Sequence, residues 1–237
     1  MNTVSLADIC VLIPAYNEEN TISGVVERAR KVARKVVVAD DGSTDRTVEK
    51  AEEAGAEVIR HPVNQGKGVA LLDGFKHIFS QGWPWLIVVD GDGQHPPEEI
   101  PAFVKTAETT GASIVVGNRM KDIAAMPAIR FYTNWLTSSI ISLLIRQKVP
   151  DSQCGFRLIK RDVFEAIDFR TRNYDTESEM LIEAGRKGFT IASVSIPTIY
   201  ADQVSKIRPG QDSWRFVRLI FRSLFAPGKG AKRKNNG

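Results

Sequence analysis

The sequence predicts an α/β fold built on an open, mostly parallel sheet with helices on both faces. Three observations predict it. Short β-branched runs alternate with segments of helical spacing, several of those runs are apolar throughout, and the composition is that of a soluble globular chain. Ile9–Ile13 is one such apolar run and reads as a fully buried strand. Ile22, Val25, Val26, Ala29 and Ala33 then recur at helical spacing. Lys35–Ala39 is a second strand, a helix follows from about Thr47 to Ala54, and Glu57–Arg60 is a third strand. Val69–Ser80 is helical, and Trp85–Asp90 is another buried strand. A helix begins near Pro97, where the missing proline N–H does no harm in the first turn. Ser113–Asn118 closes the series.

Beyond Asn118 the rhythm changes. Residues 131–145 carry no charge and, being shorter than the roughly twenty apolar residues of a membrane span, predict a buried or interfacial helix. Glu177–Lys187 is helical and Thr190–Ile196 a late strand. Asp212–Phe225 predicts a basic amphipathic helix, with Phe216, Leu219, Ile220 and Leu224 on one face beside Arg215, Arg218 and Arg222. The expected organisation is one domain over residues 1–210, with halves 1–118 and 119–210, then the helix at 211–225 and a disordered basic tail at 226–237.

At 237 residues, 43% hydrophobic and 25% charged, the chain excludes wholesale disorder, collagen-like repeats and a polytopic membrane protein. Cys10 and Cys154 are too few for a disulfide framework and read as buried, reduced thiols. The N-terminus lacks the charge and apolar core of a signal peptide. From Gln203 onward there are nine Lys or Arg and one Asp, a net +8, so the first 202 residues carry −4. An acidic body with a basic end argues against nucleic-acid binding. It suits a body that holds cations and a C-terminus that meets an anionic membrane surface, or a membrane protein there. The expected location is cytoplasmic, peripheral to the inner membrane face.

In open parallel sheets, ligands bind beyond the carboxyl ends of the strands. Those ends carry Pro14-Ala15-Tyr16-Asn17-Glu18, Asp40-Asp41-Gly42-Ser43, Asp90-Gly91-Asp92-Gly93-Gln94 and Gly117-Asn118-Arg119. Acids gathered on one rim repel unless a cation lies among them. Asp90 and Asp92, with the Gln94 amide, offer hard oxygen ligands for Mg²⁺ or Mn²⁺. The alternative is a polar turn in which each Asp caps a helix or binds backbone N–H groups. In Asp40–Asp45, the turn and the helix cap account for Gly42, Thr44 and Asp45, and leave Asp40 and Asp41 for a ribose or a base edge. Neither a G-x-G-x-x-G nor a P-loop follows any strand, which argues against a nicotinamide dehydrogenase and a P-loop kinase. A diphosphate would then be neutralised by a metal, with Lys67 either a helper or a solvated loop lysine.

Taken in order, Pro14–Glu18, Asp40–Asp45, Asn64-Gln65-Gly66-Lys67-Gly68 and Asp90–Gln94 resemble the motifs of family 2 glycosyltransferases of the GT-A fold. Gly117-Asn118-Arg119 and the segment from Asp151 to Gly155-Phe156-Arg157 resemble the branch that glycosylates dolichyl and other polyprenyl phosphates. The resemblance covers about residues 9–210. It implies an inverting transfer from a nucleoside-diphosphate sugar to a polyprenyl phosphate. It further implies that Pro14, Ala15, Tyr16, Glu18, Asp40 and Asp41 line the nucleoside pocket, and that Asp90 meets the sugar nucleotide or the metal. Asp92 and Gln94 would complete the metal's coordination, and Arg119, Arg130 and Asn134 would receive the lipid phosphate. In the family an acid stands near the acceptor, and here Asp175 and Glu179 are the candidates, though acids also favour a helix N-terminus. The Ser205-Lys206 loop departs from the branch pattern, with Val204 in place of Gly. Other readings are a saccharide or hydroxyl acceptor, a sugar-nucleotide scaffold without turnover, and a nucleotidyltransferase. The last is disfavoured because Pro14–Glu18 is not its Gly-rich, basic loop.

Overall fold

The computed structural model describes residues 4–120, 128–171 and 175–197. The expected helix at Asp212–Phe225, the tail and the Ser205-Lys206 loop lie outside them. A seven-stranded sheet runs in the order β3-β2-β1-β4-β6-β5-β7. Its strands are β1 (Ile9–Ala15), β2 (Lys35–Asp40), β3 (Glu57–Arg60), β4 (Trp85–Val88), β5 (Ile114–Asn118), β6 (Arg157–Lys160) and β7 (Ile191–Ser195). Helices α1 (Ile22–Val32), α2 (Thr47–Glu53), α3 (Lys67–Ser80), α4 (Ile100–Thr110), α5 (Ala128–Ile145), α6 (Arg161–Ala166) and α7 (Asp175–Arg186) complete the architecture.

All seven residues of β1 are buried, as a central strand covered on both faces requires. Parallel pairing joins β1 to β2 and to β4, and β2 to β3. The chain therefore moves outward from β1 in one direction and then returns to β1's other side, so the crevice between β1 and β4 is the switch point of the sheet. Gly74 lets α3 lie close against β1: a Cβ there would stand 2.5 Å from Leu12. Phe75, Phe79, Phe164 and Phe169 form an aromatic cluster that packs α6 against α3.

Most expected elements are present with their ends moved by one or two residues. The helix expected near Pro97 is split into a short 3₁₀ turn, Pro97–Glu99, and α4. Strand β6 and helix α6 were not expected. Arg-Leu-Ile-Lys is four residues with a charge at each end, so it carries no strand pattern. Tertiary pairing makes it a strand, antiparallel to β4 through Val88↔Arg157 and to β5 through Val116↔Arg157. Because β6 runs backwards, its first residue lies where its neighbours end. Residues 151–156 are thereby delivered to the same rim as the motif loops. No described helix is long and apolar enough to cross a membrane.

Candidate active site

The loops after β1 and β2 are sewn together by side chains 26 to 29 positions apart. Asn17 N–H donates to Ser43 Oγ (2.9 Å), Glu18 N–H to Thr47 Oγ1 (2.8 Å), and Thr44 N–H to Asn17 Oδ1 (2.9 Å). Asp45 accepts from Glu19 N–H (3.2 Å) and from both the N–H and hydroxyl of Thr47, so it caps α2 from two residues upstream. Pro14 and Ala15 are buried, Tyr16 is exposed and Glu18 half-buried on this loop.

Asp40 is needed by the turn, contrary to the expectation that it was left over, whereas Asp41 is engaged by a different loop. Asp40 Oδ2 accepts from Ser43 N–H (3.0 Å), while its buried Oδ1 has no hydrogen-bond partner. Asp41 accepts from Gln65 N–H (2.9 Å) and Gly66 N–H (2.7 Å) and lies 2.9 Å from His61 Nδ1. Asp41 thus fixes the loop that starts α3. Gly66 takes φ +101° at the entrance to that helix, a conformation a side chain would strain.

Lys67 Nζ lies 2.8 Å from Asp90 Oδ1 and 3.6 Å from Glu177 Oε2. The other oxygen of Asp90 is 3.7 Å from His95 Nδ1 and packs against Gly155, where a Cβ would stand 2.4 Å from it. Asp90-Gly91-Asp92 is clipped to the first loop by Thr21 Oγ1 donating to Gly91 O (2.7 Å). Asp92 Oδ1 accepts from Gln94 N–H (3.0 Å).

The two carboxylates titrate in opposite directions. Burial alone would raise Asp90, but Lys67 and its other cationic neighbours bring it down to about 2. Burial, and after it the charge of Asp90, pushes Asp92 up to about 6. A pair of hard oxygen donors in mutual repulsion fits a divalent cation. No three His, Cys, Asp or Glu side chains are gathered around one point among the described residues. An ion here would therefore draw further ligands from the Gln94 amide and from a bound diphosphate. Burial lowers His95 to about 4, so its imidazole is neutral at pH 7, and raises the Cys154 thiol beside it to about 12. Both cysteines are free and buried, as expected.

Arg119 and Asn134 are turned inward, a correction to their expected place at a lipid phosphate. Both bind Asp151, which is fully buried: Arg119 through Nε (2.8 Å), Nη2 (2.9 Å) and its N–H (3.1 Å), Asn134 through Nδ2 (2.7 Å). These bonds hold Asp151 below the usual carboxylate range despite a burial that opposes its ionisation. Asn134 also accepts from Ser138 Oγ (3.0 Å). Arg130, in the first turn of α5, remains half-buried with no ion pair among the described residues.

Glu179 is likewise not brought to Asp90. Its carboxylate, 5% exposed, accepts from the N–H groups of Arg170 and Thr171 and from the Thr171 hydroxyl, so it holds a loop rather than facing an acceptor. Asp175 opens α7, half-buried. Glu177 is the acid of this helix that reaches the cluster. Its backbone oxygen accepts from Arg157 Nη1 (2.6 Å), and Arg157 also donates to Cys154 O and Ser152 O (2.7 Å each). Sequence reasoning assigned no role to Asp151, His95 or Glu177. Asp151 lay inside a quoted motif, while His95 and Glu177 carried no spacing signal of their own.

Three comparisons bear on this site. The family model described as Glycosyl transferase family 2 matches residues 10–168. An uncharacterized protein of Methanocaldococcus jannaschii is 34% identical over 208 residues, 85% of this chain and 86% of the relative. The UDP-N-acetylglucosamine–dolichyl-phosphate N-acetylglucosaminyltransferase of Methanococcus voltae is 31% identical, covering 82% of this chain and 86% of its own. The dolichyl-phosphate hexose transferase of Haloferax volcanii is 32% identical, with 83% and 85% covered. In fold, the chain is similar to the glucosyl-3-phosphoglycerate synthase of Mycobacterium tuberculosis in complex with uridine diphosphate. There the TM-score is 0.73 at 22% identity over 94% of this chain and 82% of that one.

Proposed function

This chain belongs to glycosyl transferase family 2, and from that premise we propose that it moves a sugar from a nucleoside-diphosphate donor to the phosphate of a polyprenyl lipid, with inversion. The observation that carries the donor side is the convergence of three motif loops on Asp90, with Lys67 at 2.8 Å. Relatives named for transfer to dolichyl phosphate support the acceptor.

In this reading the nucleoside lies over Pro14–Glu18 with Asp40 and Asp41 at its edge, and the diphosphate is met by the Lys67 ammonium. A phosphate oxygen of the acceptor attacks the anomeric carbon, that carbon's bond to the diphosphate breaks, and the nucleoside diphosphate leaves with the electron pair. A Mg²⁺ or Mn²⁺ ion held by Asp90, Asp92 and Gln94 would supply charge to the departing oxygens. The lipid phosphate, with a second pKa of roughly 6, is already an anion and needs positioning rather than a general base. The engagement of Glu179 with backbone N–H groups agrees with a nucleophile that needs no base. Arg130 is half-buried in the first turn of α5 and has no ion pair among the described residues, and we assign it to the acceptor phosphate in place of Arg119 and Asn134.

A donor screen (GDP-mannose, UDP-glucose, UDP-N-acetylglucosamine) against polyprenyl phosphate, 3-phosphoglycerate and a free sugar tests this function. Transfer to the lipid phosphate alone is the expected result, and transfer only to the sugar or to 3-phosphoglycerate would refute it. With the productive pair, Arg130→Ala should raise the KM for lipid phosphate about tenfold, the worth of roughly 1.4 kcal/mol, and leave donor binding unchanged.

A lipid acceptor also calls for a membrane-facing surface. Ile129, Tyr132, Trp135, Leu136 and Leu143 are exposed on α5, the last by 81%, within a sector of about 120° at 3.6 residues per turn. Asn134, Ser138, Ile141 and Ile145 occupy the opposite, buried face. We assign the exposed stripe to the lipid surface, together with the basic C-terminus. Replacing Tyr132, Leu136 and Leu143 by Ser should lower co-sedimentation with anionic vesicles at least about tenfold. Undiminished sedimentation would remove α5 from the contact.

A further inference from the structure

We propose that Lys67 is an internal counter-ion that occupies the cation's place at Asp90 in the donor-free protein, and that a divalent ion gains Asp90 only as Lys67 moves over to Glu177. The inference rests on the reading of Asp90 as a metal ligand given above.

Asp90 offers its two oxygens to different surroundings. Gly155 backs both oxygens, its missing Cβ position lying 2.4 Å from Oδ2 and 2.9 Å from Oδ1, and the buried ring of His95 stands 3.7 Å from Oδ2. Oδ1 is the oxygen that Lys67 takes at 2.8 Å. Hard-cation ligand distances are about 2.0–2.6 Å, so an ion bound at Oδ1 and an ammonium on that oxygen would repel each other at close range. The ammonium must give way, and a second acceptor already stands beside it, Glu177 Oε2 at 3.6 Å. That acceptor is fixed in place. Arg157, 1% exposed, donates to Glu177 O and to two carbonyls of the 152–154 segment, so the first turn of α7 is tied to the start of β6. Lys67 is tethered as firmly from the other side, since Asp41 binds the N–H groups of the two residues before it. A long, flexible side chain on a fixed root, between two fixed carboxylates, can exchange partners without backbone movement. The diphosphate of an arriving donor would draw the same ammonium further from Asp90, so the donor would tighten metal binding.

The test is Mn²⁺ binding to the donor-free protein, read from the electron paramagnetic resonance signal of free Mn²⁺. Lys67→Met should tighten Mn²⁺ at least tenfold, and Lys67→Gln, measured beside it, should do the same even if one of the two folds poorly. Glu177→Gln, which removes the negative charge of the second acceptor, should weaken Mn²⁺ about threefold or more. The double variant should match Lys67→Met, because Glu177 acts only through Lys67. Adding UDP or GDP should narrow the gap between the parent and Lys67→Met. Equal or weaker Mn²⁺ binding by both Lys67 variants would overturn the proposal while leaving Asp90 as a ligand. An unchanged Glu177→Gln would overturn the exchange. No Mn²⁺ binding by any form, even with both nucleotides, would overturn the proposal and the metal reading together.

Discussion

Asp90→Asn should lower sugar transfer by roughly 100- to 1,000-fold, the usual consequence of losing one group that stabilises charge in the transition state. The substitution keeps the shape of the side chain and removes its charge. Lys67 then loses its 2.8 Å partner but still has Glu177 at 3.6 Å, so the fold should tolerate the change. The pair is also partly open to solvent, each side chain being 21% exposed, which limits what it contributes to stability. Steady-state transfer at saturating Mn²⁺, with the thermal midpoint measured on the same sample, checks both halves. Turnover near that of the parent would place the chemistry elsewhere on the rim.

Asp151→Ala should act through stability instead, lowering the free energy of unfolding by about 3–5 kcal/mol, the range for removing one partner of a buried ion pair. Four donors converge on Asp151, three from Arg119 and one from Asn134. Its removal leaves the Arg119 guanidinium, itself 5% exposed, in the interior without its counter-charge. The loss is a large fraction of the 5–15 kcal/mol typical of a domain. Urea unfolding followed by circular dichroism measures it. Asp151→Asn, which keeps some acceptor capacity, should fall between the two. A denaturation midpoint equal to the parent's would mean that Asp151 is not what balances Arg119.

These two predictions mark the boundary between what the sequence made legible and what it did not. Asp90 was legible because its signal is local. An apolar run ends, two acids follow with glycine between them, and parallel-sheet topology alone sends that turn to the ligand rim. The strands β1 to β5 were legible for the same reason, since their patterns lie within each segment. Asp151 was not, because its meaning comes from Arg119, 32 positions earlier, and Asn134, 17 positions earlier. Glu177 shows the same limit from the other direction. Periodicity marked α7 but could not say which of its four acids, Asp175, Glu177, Glu179 or Glu183, faces Lys67. Strand β6 was hidden because its first residue is a charged arginine, and only the carbonyls it meets explain how that charge can be buried.

The reversed direction of β6 has one more consequence. The chain leaves the rim after β5 and comes back to it at the start of β6, and Gly117 N–H donates to Phe156 O (2.9 Å) where the two ends meet. Everything between is an excursion with a closed neck, and loop-closure entropy grows only slowly with length. Such an excursion can be lengthened, shortened or grafted as a cassette while β1 to β4 keep their register. The parallel part of the sheet can in this way stay fixed while the segment between β5 and β6 varies.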